Sequence, residues 1–354
     1  MEILGSLSVM RVETVKVETF AALERDWREL EARLPTPGFF QSWSWVGCLA
    51  EERFPDPVLL RAHRGGVIVG LALFNRARGR LCLTESGDQL LDAPFIEHNA
   101  PLCGEPAVAG ALLQAAWQVP GARSLVLGGV APVLLSLAGG VSWRRQDRAA
   151  PFLDLDALRA SGGDYLSSRS ANSRQQIRRS LRHYAALGDV GLERAADAVQ
   201  ARAWFDRMLP LHAATWQARG QLGAFATDFM RRFHHALIAR AAPRGEVDML
   251  RCTAGEAEIG LLYNLRRSGV VHAYQSGFDM LLASPHGKPG LTCHSLAVQH
   301  AVDRGDARYD FMAGVSRYKR SLASGELTLV WAEQVRRHSP RAWVAGLRRW
   351  LGQG

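Results

Sequence analysis

The clearest pattern of apolar and polar positions lies between residues 245 and 319. Three short β-rich segments separated by glycine turns predict an antiparallel meander, at residues 249–253, 259–265 and 270–278. Residues 284–290 are too rich in glycine and proline for regular structure, so they predict a loop. A helix is predicted from Leu291 to Gly305, where glycine ends it, and a further strand follows at residues 309–312.

The same order of elements recurs in the first half of the chain. Two strands joined by a glycine turn, a third strand, a loop, a helix and a strand are predicted at residues 58–62, 67–75, 80–84, 110–119 and 124–127. We interpret this order as a degenerate internal repeat. The polar, basic stretch from Arg144 to Pro151 marks the predicted boundary between residues 1–150 and 151–338, and an amphipathic helix is predicted in residues 339–354.

The predicted loop at residues 284–290 suggests a binding site. Its glycines, Gly287 and Gly290, allow backbone N–H groups to converge, and the start of the following helix adds partial positive charge. His286 and Lys288 add side-chain donors. The pattern predicts a phosphate or pyrophosphate site, although it matches neither the P-loop nor the dinucleotide fingerprint. The alternative is an ordinary connection between a strand and a helix.

The first half of the chain lacks such a loop. It has Cys103-Gly104-Glu105-Pro106 at the corresponding place, with an acid where a phosphate site requires a base. Cofactor binding is therefore predicted in the second copy, and the first copy is predicted to be a structural partner that walls the acceptor site.

Composition narrows the partners and the compartment. The 354 residues carry a net charge of +9, which favours phosphorylated or polyanionic partners and also fits a generally basic surface. Lysine occurs only at Lys16, Lys288 and Lys319, so arginine supplies most of the positive charge. The five cysteines are scattered and predict free thiols in a reducing compartment. Without a recognisable signal peptide or an apolar run of about 18 residues, the sequence predicts a cytoplasmic protein with no stable membrane span.

Several kinds of chemistry have no motif in this sequence. No H-x-x-x-H or H-E-x-x-H pattern occurs, so no metal is expected. No nucleophile elbow is present, and no cysteine lies in a recognisable triad context. Transfer of an acyl group directly to an amine remains. It requires a positioned donor, removal of a proton from the amine, and hydrogen-bond donors for the oxyanion.

Six short motifs occur in a defined order. They are Phe40-Gln41-Ser42-x-x-Trp45, Ser170-x-x-Ser173-Arg174-x-x-x-x-Arg179, Tyr274-Gln275-Ser276-Gly277-Phe278-Asp279, Ser284-Pro285-x-Gly287, Asp310-Phe311-x-x-Gly314 and Tyr318-Lys319. This order, from about Phe39 to Glu333, resembles the GNAT superfamily of N-acyltransferases, and more narrowly its CelD-like and Fem-type branch. The resemblance implies an α/β (α+β) fold of two tandem GNAT-like domains, each a mixed, mainly antiparallel sheet flanked by helices. It also implies acyl-CoA or acetyl-CoA as co-substrate.

The resemblance further implies roles for individual residues. Backbone N–H groups of the splayed strand would supply oxyanion donors and hold the cofactor, at Gln275, Ser276, Gly277 and Phe278. The candidate catalytic residues are Tyr274 and Tyr318 as acids, Asp279 and Asp310 as bases, and Lys319 for the carbonyl or the phosphate end of the cofactor. These roles have structural alternatives. Asp310 would cap a turn, the two tyrosines would be core residues with a bonded hydroxyl, and Lys319 would be a surface residue.

A strongly basic helix is predicted from Ser170 to Ala186. Arg174, Arg178 and Arg182 fall at positions i, i+4 and i+8, on one face of that helix. Such a stripe is either a solvated charged surface or a contact for the phosphates of a nucleotide tail or of tRNA.

Two tryptophans are candidates for the substrate groove. Trp45 belongs to an aromatic cluster at residues 39–45, and Trp216 lies near the end of a helix predicted at residues 201–218. Together with Arg174 they form the predicted set of substrate-binding residues. Packing in the core is the alternative for aromatic side chains of this kind.

Three hypotheses for function follow. The first is an N-acyltransferase that uses an acyl-CoA or acyl-carrier thioester and acylates an amine of a small molecule or sugar, in exopolysaccharide or cell-envelope biosynthesis. The second is a Fem-type transferase that uses aminoacyl-tRNA, and the third is a non-catalytic scaffold on a transferase fold. The terminal amphipathic helix, residues 340–351, is predicted to dock on the protein body or to touch a membrane surface.

Overall fold

The computed structural model describes residues 9–92, 96–162, 164–314 and 317–350. The chain forms two compact units, one of residues 1–147 with 328–354 and the other of residues 148–327. In each unit a mixed, mainly antiparallel sheet carries helices packed on it. This arrangement confirms the predicted α/β fold of two tandem units.

The first unit is built on the strands β1 to β6 and the helices α1 to α4. The strands are β1 Met10–Lys16, β2 Pro57–Arg64, β3 Val67–Ala77, β4 Arg80–Leu83, β5 Leu102–Cys103 and β6 Ser124–Val130. The helices are α1 Phe20–Arg33, α2 Trp43–Arg53, α3 Pro106–Ala115 and α4 Pro132–Ala138. The sheet order is β1-β2-β3-β4-β6, with β5 also paired to β3. Only the pair β4 and β6 is parallel among these described strands.

The core of the first unit follows from alternation along its strands. Val58, Leu60 and Ala62 of β2 point to the same face of the sheet. Leu112 and Leu113 of α3 belong to the same buried cluster, so this helix covers the apolar face. The side chain of Ser42 caps α2 by accepting a hydrogen bond from the amide of Trp45, as its position in the sequence predicts.

The second unit contains most of the remaining elements. Its strands are β7 Val141–Asp154, which begins in the first unit, β8 Val190–Arg194, β9 Val247–Ala254, β10 Ala257–Arg267, β11 Val270–Phe278 and β12 Arg308–Asp310. Its helices are α5 Leu155–Ala160, α6 Ala171–Ala185, α7 Ala198–Gln217, α8 Asp228–Ala241, α9 Pro289–Asp303 and α10 Arg317–Leu322. The sheet order is β7-β12-β11-β10-β9-β8, and only β11 and β12 run parallel among these described strands.

The last strand and helix return to the first unit. Strand β13 Gly325–Val335 begins in the second unit, and its residues from Val330 to Val335 pair antiparallel with β6. Helix α11 Pro340–Trp350 follows it.

The stretch from Arg144 to Pro151 differs from its prediction. Its polar, basic character indicated an irregular connection, but these residues lie inside the 14-residue strand β7. Residues 144–147 of the strand are exposed, so they lack the apolar alternation that identifies a half-buried strand in a sequence. Their extended conformation comes from the sheet rather than from their own side chains.

The internal repeat is confirmed by connectivity. The first unit runs β2-β3-β4-loop-α3-β6, and the second runs β9-β10-β11-loop-α9-β12. In both units the third strand of this series pairs parallel with the last one. The long loop after the third strand and the helix behind it thus occupy equivalent places in the two sheets.

Candidate active site

Strand β11 has an edge that is only partly paired. It pairs with β10 as far as Phe278, but with β12 only through Val270, Val271 and His272. The register with β10 shifts between Tyr263 and Leu265, because β11 contains one extra residue there. Among the described residues, the edge of β11 that faces away from β10 therefore has no strand partner from residue 273 to 278. We call this segment the open edge.

Backbone groups of Ser276 and Phe278 point to the open edge. The amide of Asp279 donates to the carbonyl of Ile259 on the β10 side, at 3.1 Å. Alternate residues of a strand direct their amides to opposite edges, so Ser276 and Phe278 face away from β10. The carbonyl of Ser276 confirms this direction, because it accepts a hydrogen bond from Nδ1 of His212 at 2.9 Å.

His212 of α7 connects the open edge to a cavity. Its Nδ1–H donates to Ser276 and its Nε2 accepts from the amide of Ala224 at 3.1 Å, so both ring nitrogens are used and one tautomer is fixed. Burial lowers the pKa of His212, which keeps the imidazole neutral. The cavity has a volume of about 370 Å³, and its lining includes Leu209, Ala213, Leu222 and Phe225 with His212 and Gln217.

The opposite face of the sheet at the open edge carries aromatic rings. The hydroxyl of Tyr318 on α10 donates a hydrogen bond to the carbonyl of Gly290 in the first turn of α9. A Cβ atom on Gly290 would lie 3.2 Å from the ring of Phe278 and 3.4 Å from the hydroxyl of Tyr318. The ring of His294 lies 6.2 Å from that of Phe278 and 5.9 Å from that of Tyr318, centre to centre. Three of the predicted site residues, Phe278, Gly290 and Tyr318, are thus brought together here.

Burial sets the protonation of these groups. The pKa of Tyr318 is raised well above its ordinary value, mainly by burial, so its hydroxyl keeps its proton. The pKa of His294 is lowered to about 3, first by burial and second by the charge of Lys319. Lys319 donates from Nζ to the carbonyls of Met312 and Ala313, each at 3.1 Å. Its ammonium group therefore holds the turn that follows β12.

The predicted anion loop is ordered by hydroxyl groups. The amides of His286 and Gly287 donate to Oγ of Ser284, at 3.2 and 2.7 Å. The amide of Lys288 donates to Oγ of Ser180 on α6, at 2.9 Å. The sequence interpretation directed these amides at a bound anion. In the structure they are used within the protein, because serine hydroxyls satisfy them.

Side chains, rather than backbone amides, give this loop its positive charge. Nζ of Lys288 lies 3.0 Å from the side-chain oxygen of Gln176, and Nη1 of Arg179 lies 3.3 Å from Nδ1 of His286. We call Arg179, His286 and Lys288, with the exposed Arg178 and Arg182 of α6, the basic cluster. Within the described ranges no carboxylate forms an ion pair with any member of the basic cluster. Because its arginine and lysine side chains have no acidic partner within those ranges, this surface favours an anionic ligand.

Other predicted catalytic residues lie elsewhere. Tyr274 is buried, with its ring 5.4 Å from that of His234 on α8 and 5.7 Å from that of Tyr263. The aspartates act as caps: Oδ1 of Asp279 accepts from the amide of Leu281 at 2.9 Å, and Oδ1 of Asp310 accepts from the amide of Met312 at 2.8 Å. Neither contact places a carboxylate at the open edge. Gln275 is half-buried and Gly277 packs against Met208 of α7.

The predicted substrate-binding residues are not a single group. Trp45 is buried in the first unit, with its ring 4.9 Å from that of Phe40, which is the surrounding expected of a core residue. Arg174 donates to the carbonyl of Ser167 at 3.2 Å. Trp216 lies beside the cavity, with its ring 5.9 Å from that of His212 and the guanidinium of Arg219 over its face.

Several residues at the site were given no role from the sequence, although Arg179 stands in one of the six motifs. Gln176, Arg179, Ser180 and His183 of α6 all face the loop. Their spacing of three or four residues marks one polar face of a helix, and that face was hidden beside the more conspicuous arginine stripe. His212 carried no signal, because a single histidine in a helix is more often a core residue.

The equivalent gap in the first unit is filled by its own chain. The amide of Asn99 donates to the carbonyl of Gly129 after the paired part of β6, at 3.0 Å. Nδ2 of Asn99 donates to the carbonyl of Leu83 at the end of β4, at 2.9 Å. Asn99 therefore joins β4 to β6 through its side chain and its backbone amide, whereas the equivalent strands β11 and β12 separate in the second unit.

Comparison with known proteins relates one segment of the chain to a family model. Residues 171–320 match the model of the acetyltransferase (GNAT) domain family. No curated protein is significantly similar to the chain in sequence. Among solved structures, the C-terminal domain (DUF2156) of a putative lysylphosphatidylglycerol synthetase from Agrobacterium fabrum is 14% identical, with 94% of this chain and 97% of that chain covered and a TM-score of 0.55.

Two further structures share the fold at similar length. FemX is 10% identical, with 95% of this chain and 99% of that chain covered and a TM-score of 0.56. L-PGS from Bacillus licheniformis is 13% identical, with 92% and 96% covered and a TM-score of 0.52. Identities this low establish the fold and leave the substrate open. Residues 171–320 thus match the GNAT domain family, and the chain has the fold that these three solved structures share.

Proposed function

We propose that the second unit is an N-acyltransferase that moves an acyl group from an acyl-CoA, acetyl-CoA or acyl-carrier thioester to an amine of a small molecule or sugar. One observation carries the proposal: the open edge of β11 lies between two unlike environments. Tyr318 and Phe278 lie on its α9 side, and His212 with its cavity lies on its α7 side. A thioester carbonyl and an amine can therefore meet at the backbone of Ser276.

The donor is bound on the α9 side. Phosphate groups of the carrier contact three side chains of the basic cluster rather than the loop amides. These three are Arg179, His286 and Lys288. The thioester arm runs past Gly290, where even a Cβ atom would lie only 3.2 Å from Phe278 and 3.4 Å from Tyr318, so any side chain there would crowd the arm. The amides of Ser276 and Phe278 face the open edge and donate to the carbonyl oxygen as it gains negative charge.

Tyr318 supplies the proton for the leaving thiolate when its hydroxyl turns from the carbonyl of Gly290 to the sulfur, and the proton that the amine gives up returns through water to Tyr318. Its raised pKa keeps the hydroxyl protonated, so it serves as an acid and not as a base. Lys319 shapes the turn after β12 through the carbonyls of Met312 and Ala313, and its charge favours the developing oxyanion. No acid–base role follows for Asp279 and Asp310, since both carboxylates cap turns. The amine therefore loses its proton to water.

The acceptor is bound on the α7 side. The cavity of about 370 Å³ lies next to His212, which is fixed to the carbonyl of Ser276. His212 is a positioning residue, because both of its ring nitrogens are already bonded. Trp216 closes one side of this region. Tyr274 packs on His234, whose ring lies 5.0 Å from that of Phe225 in the cavity lining. The first unit, whose gap is filled by Asn99, has a structural role.

Calorimetry tests the donor. The wild type is expected to bind CoA and acetyl-CoA, and Lys288→Ala combined with Arg179→Ala is expected to weaken CoA binding by about 10- to 100-fold, because charged hydrogen bonds to phosphate are lost. Pantetheine, which lacks the phosphates, distinguishes this loss from a general collapse of the site. Lys16→Ala, an exposed lysine of the first unit, is the matched control. Absence of CoA binding at millimolar concentration would overturn the proposal.

A second donor is favoured by one observation. Arg178 and Arg182 are exposed on α6 beyond the loop, and neither has an acidic partner within the described residues. Aminoacyl-tRNA would use such cations for its backbone phosphates. This alternative predicts salt-dependent retention of tRNA that Arg178→Ala and Arg182→Ala weaken, while CoA binding stays absent. Retention of tRNA that does not depend on salt concentration would argue against an aminoacyl-tRNA donor.

The cellular role extends the same proposal. Acylation of an amino sugar or small amine fits exopolysaccharide or cell-envelope biosynthesis, with the reaction in the cytoplasm, where acyl-CoA is made. A scaffold without catalysis remains the alternative. It predicts that neither CoA nor aminoacyl-tRNA supports acyl transfer to any amine.

A further inference from the structure

Helix α11 presents apolar side chains to solvent. Trp343 is 75% exposed, Leu347 is 58% exposed and Val344 is 42% exposed. These positions fall at i, i+1 and i+4, so they form one stripe along the helix. The inner face is already packed, since Ala342 and Ala345 are buried. The outer stripe is therefore not required to hold the helix in place.

Positive charge surrounds this stripe. From residue 334 to the last residue the sequence contains no aspartate or glutamate, and its basic residues are Arg336, Arg337, His338, Arg341, Arg348 and Arg349. Arg337 and Arg341 are exposed. Nε of Arg337 donates to the carbonyl of Gly139 at 2.7 Å, and the guanidinium of Arg341 lies 5.9 Å from the ring centre of Trp143. Both cations are thus held at the base of the helix, beside the apolar stripe.

The dimensions of α11 decide how it can meet a bilayer. Its 11 residues span about 16 Å, whereas a crossing helix needs about 20 apolar residues. Among the described residues, none of the helices combines the length and the apolarity that a bilayer crossing requires. A short helix with an apolar stripe and flanking arginines lies in the plane of the interface instead.

We propose that α11 docks the protein on the surface of an anionic lipid bilayer. Trp343, Val344 and Leu347 enter the boundary between headgroups and acyl chains, and Arg337 and Arg341 contact lipid phosphates. A nucleic acid would use the arginines but would leave the apolar stripe in water. A second copy of this chain would bring its own arginines against these, at an electrostatic cost. A bilayer of anionic lipids satisfies both features at once.

Vesicle sedimentation tests this inference. The full chain is mixed with vesicles of phosphatidylcholine alone, or of phosphatidylcholine with 30 mol % phosphatidylglycerol (about one anionic lipid in three). The wild type is expected to sediment with the anionic vesicles, less so at high salt, and only weakly with the neutral ones. Trp343→Ser combined with Leu347→Ser is expected to lower binding by about tenfold or more, because two apolar side chains no longer leave water. Arg341→Gln is expected to reduce binding to anionic vesicles only.

Two controls separate the outcomes. Leu90→Ser changes an apolar side chain that is 83% exposed elsewhere in the first unit, and it is expected to leave vesicle binding unchanged. Since α11 and the basic cluster belong to different units, the α11 variants are expected to keep the wild-type affinity for CoA, so failure here is distinguishable from failure of the proposed function. Wild-type protein that stays in the supernatant with anionic vesicles overturns the inference. So does self-association, seen by light scattering, that Trp343→Ser with Leu347→Ser abolishes without any vesicle binding.

Discussion

The Ser180 hydroxyl of α6 accepts a hydrogen bond from the backbone amide of Lys288 at 2.9 Å and lies 2.7 Å from the hydroxyl of Thr292. Ser180 is fully buried, and the two bonded residues are more than 100 positions away in the sequence. A single hydroxyl thus joins the basic helix to the loop and to the first turn of α9. The position of Lys288, and with it the basic cluster, depends on this contact.

Ser180→Ala is therefore expected to affect both stability and donor binding. The amide of Lys288 loses its partner inside the protein, which costs about 1–3 kcal/mol of unfolding free energy. The loop also loses its anchor, so the affinity for CoA falls several-fold. Urea unfolding and calorimetry measure the two effects. Ser161→Ala, which removes a hydroxyl that bonds only within its own helix turn, is the control. A free energy of unfolding equal to that of the wild type would show that this contact does not contribute to stability.

Gly287 and His183 are expected to behave as a coupled pair. A Cβ atom on Gly287 would overlap the imidazole of His183. Gly287→Ala therefore displaces the loop or the ring, and CoA affinity is expected to fall about tenfold, with a loss of about 1–3 kcal/mol in stability. His183→Ala creates space, so the double variant is expected to recover most of that loss. Calorimetry on all four proteins measures the coupling, and simple additivity would contradict it.

Tyr318→Phe tests the chemical step. The variant removes the proposed acid while keeping the ring beside Phe278 and His294, so kcat is expected to fall about 10²- to 10³-fold with little change in KM for the acyl donor. Because the pKa of Tyr318 is raised well above its ordinary value, the wild-type rate should show no loss from ionisation of this group below pH 10. Steady-state kinetics measure both.

Tyr165→Phe is the matched control for that experiment. The Tyr165 hydroxyl is buried and makes no hydrogen bond within the described part of the chain. Its removal is expected to leave kcat near the wild-type value. An equal fall in kcat for the two variants would assign the effect of Tyr318→Phe to packing rather than to proton transfer.

Glu85 makes the stability of the first unit depend on pH. Burial, followed by repulsion from Asp92, raises the pKa of Glu85 from 4.5 to about 8. Between these two values the folded protein holds a proton that the unfolded chain releases, so stability falls as pH rises, by up to about 1.4 kcal/mol per pH unit. Glu85→Gln stays neutral and is expected to remove this slope.

The measurement is urea unfolding at pH 5, 6.5 and 8. Relative to the wild type, Glu85→Gln is expected to gain up to about 4 kcal/mol between the lowest and the highest pH. Glu29→Gln, at an exposed position of α1, is expected to show no such gain. A wild-type stability that does not decline from pH 5 to pH 8 would contradict the raised pKa of the buried carboxyl.

Much of the fold was readable from local pattern. The glycine turns separated the β-rich segments that became β9, β10 and β11, and Ser170 began the basic helix as a side-chain cap. These features depend on neighbours a few residues apart. The strand at residues 144–151 was missed, because its conformation is imposed by the sheet and its exposed side chains carry no alternation.

The candidate site also has features that the sequence predicted and contacts that it did not. The loop at residues 284–290, its cations and Tyr318 could be picked out as residue types in a defined order. That Ser180 uses the amide of Lys288 could not, since partners more than 100 residues apart leave no periodic signal. The sequence also did not show the extra residue in β11. Nor did it show that Tyr274 packs on α8 while Phe278 packs on α9.

The sequence by itself determined the order of elements within each repeat, the repeat itself, the basic character and the loop, because each rests on propensities and spacings within one segment. Tertiary structure decided which groups meet: the open edge of β11, the bond from His212 to Ser276, and the burial that keeps the proton on Tyr318. Contact between distant segments and exclusion of water arise only when the sheet and helices pack. For that reason the chemistry of the site belongs to the fold rather than to any one stretch of the chain.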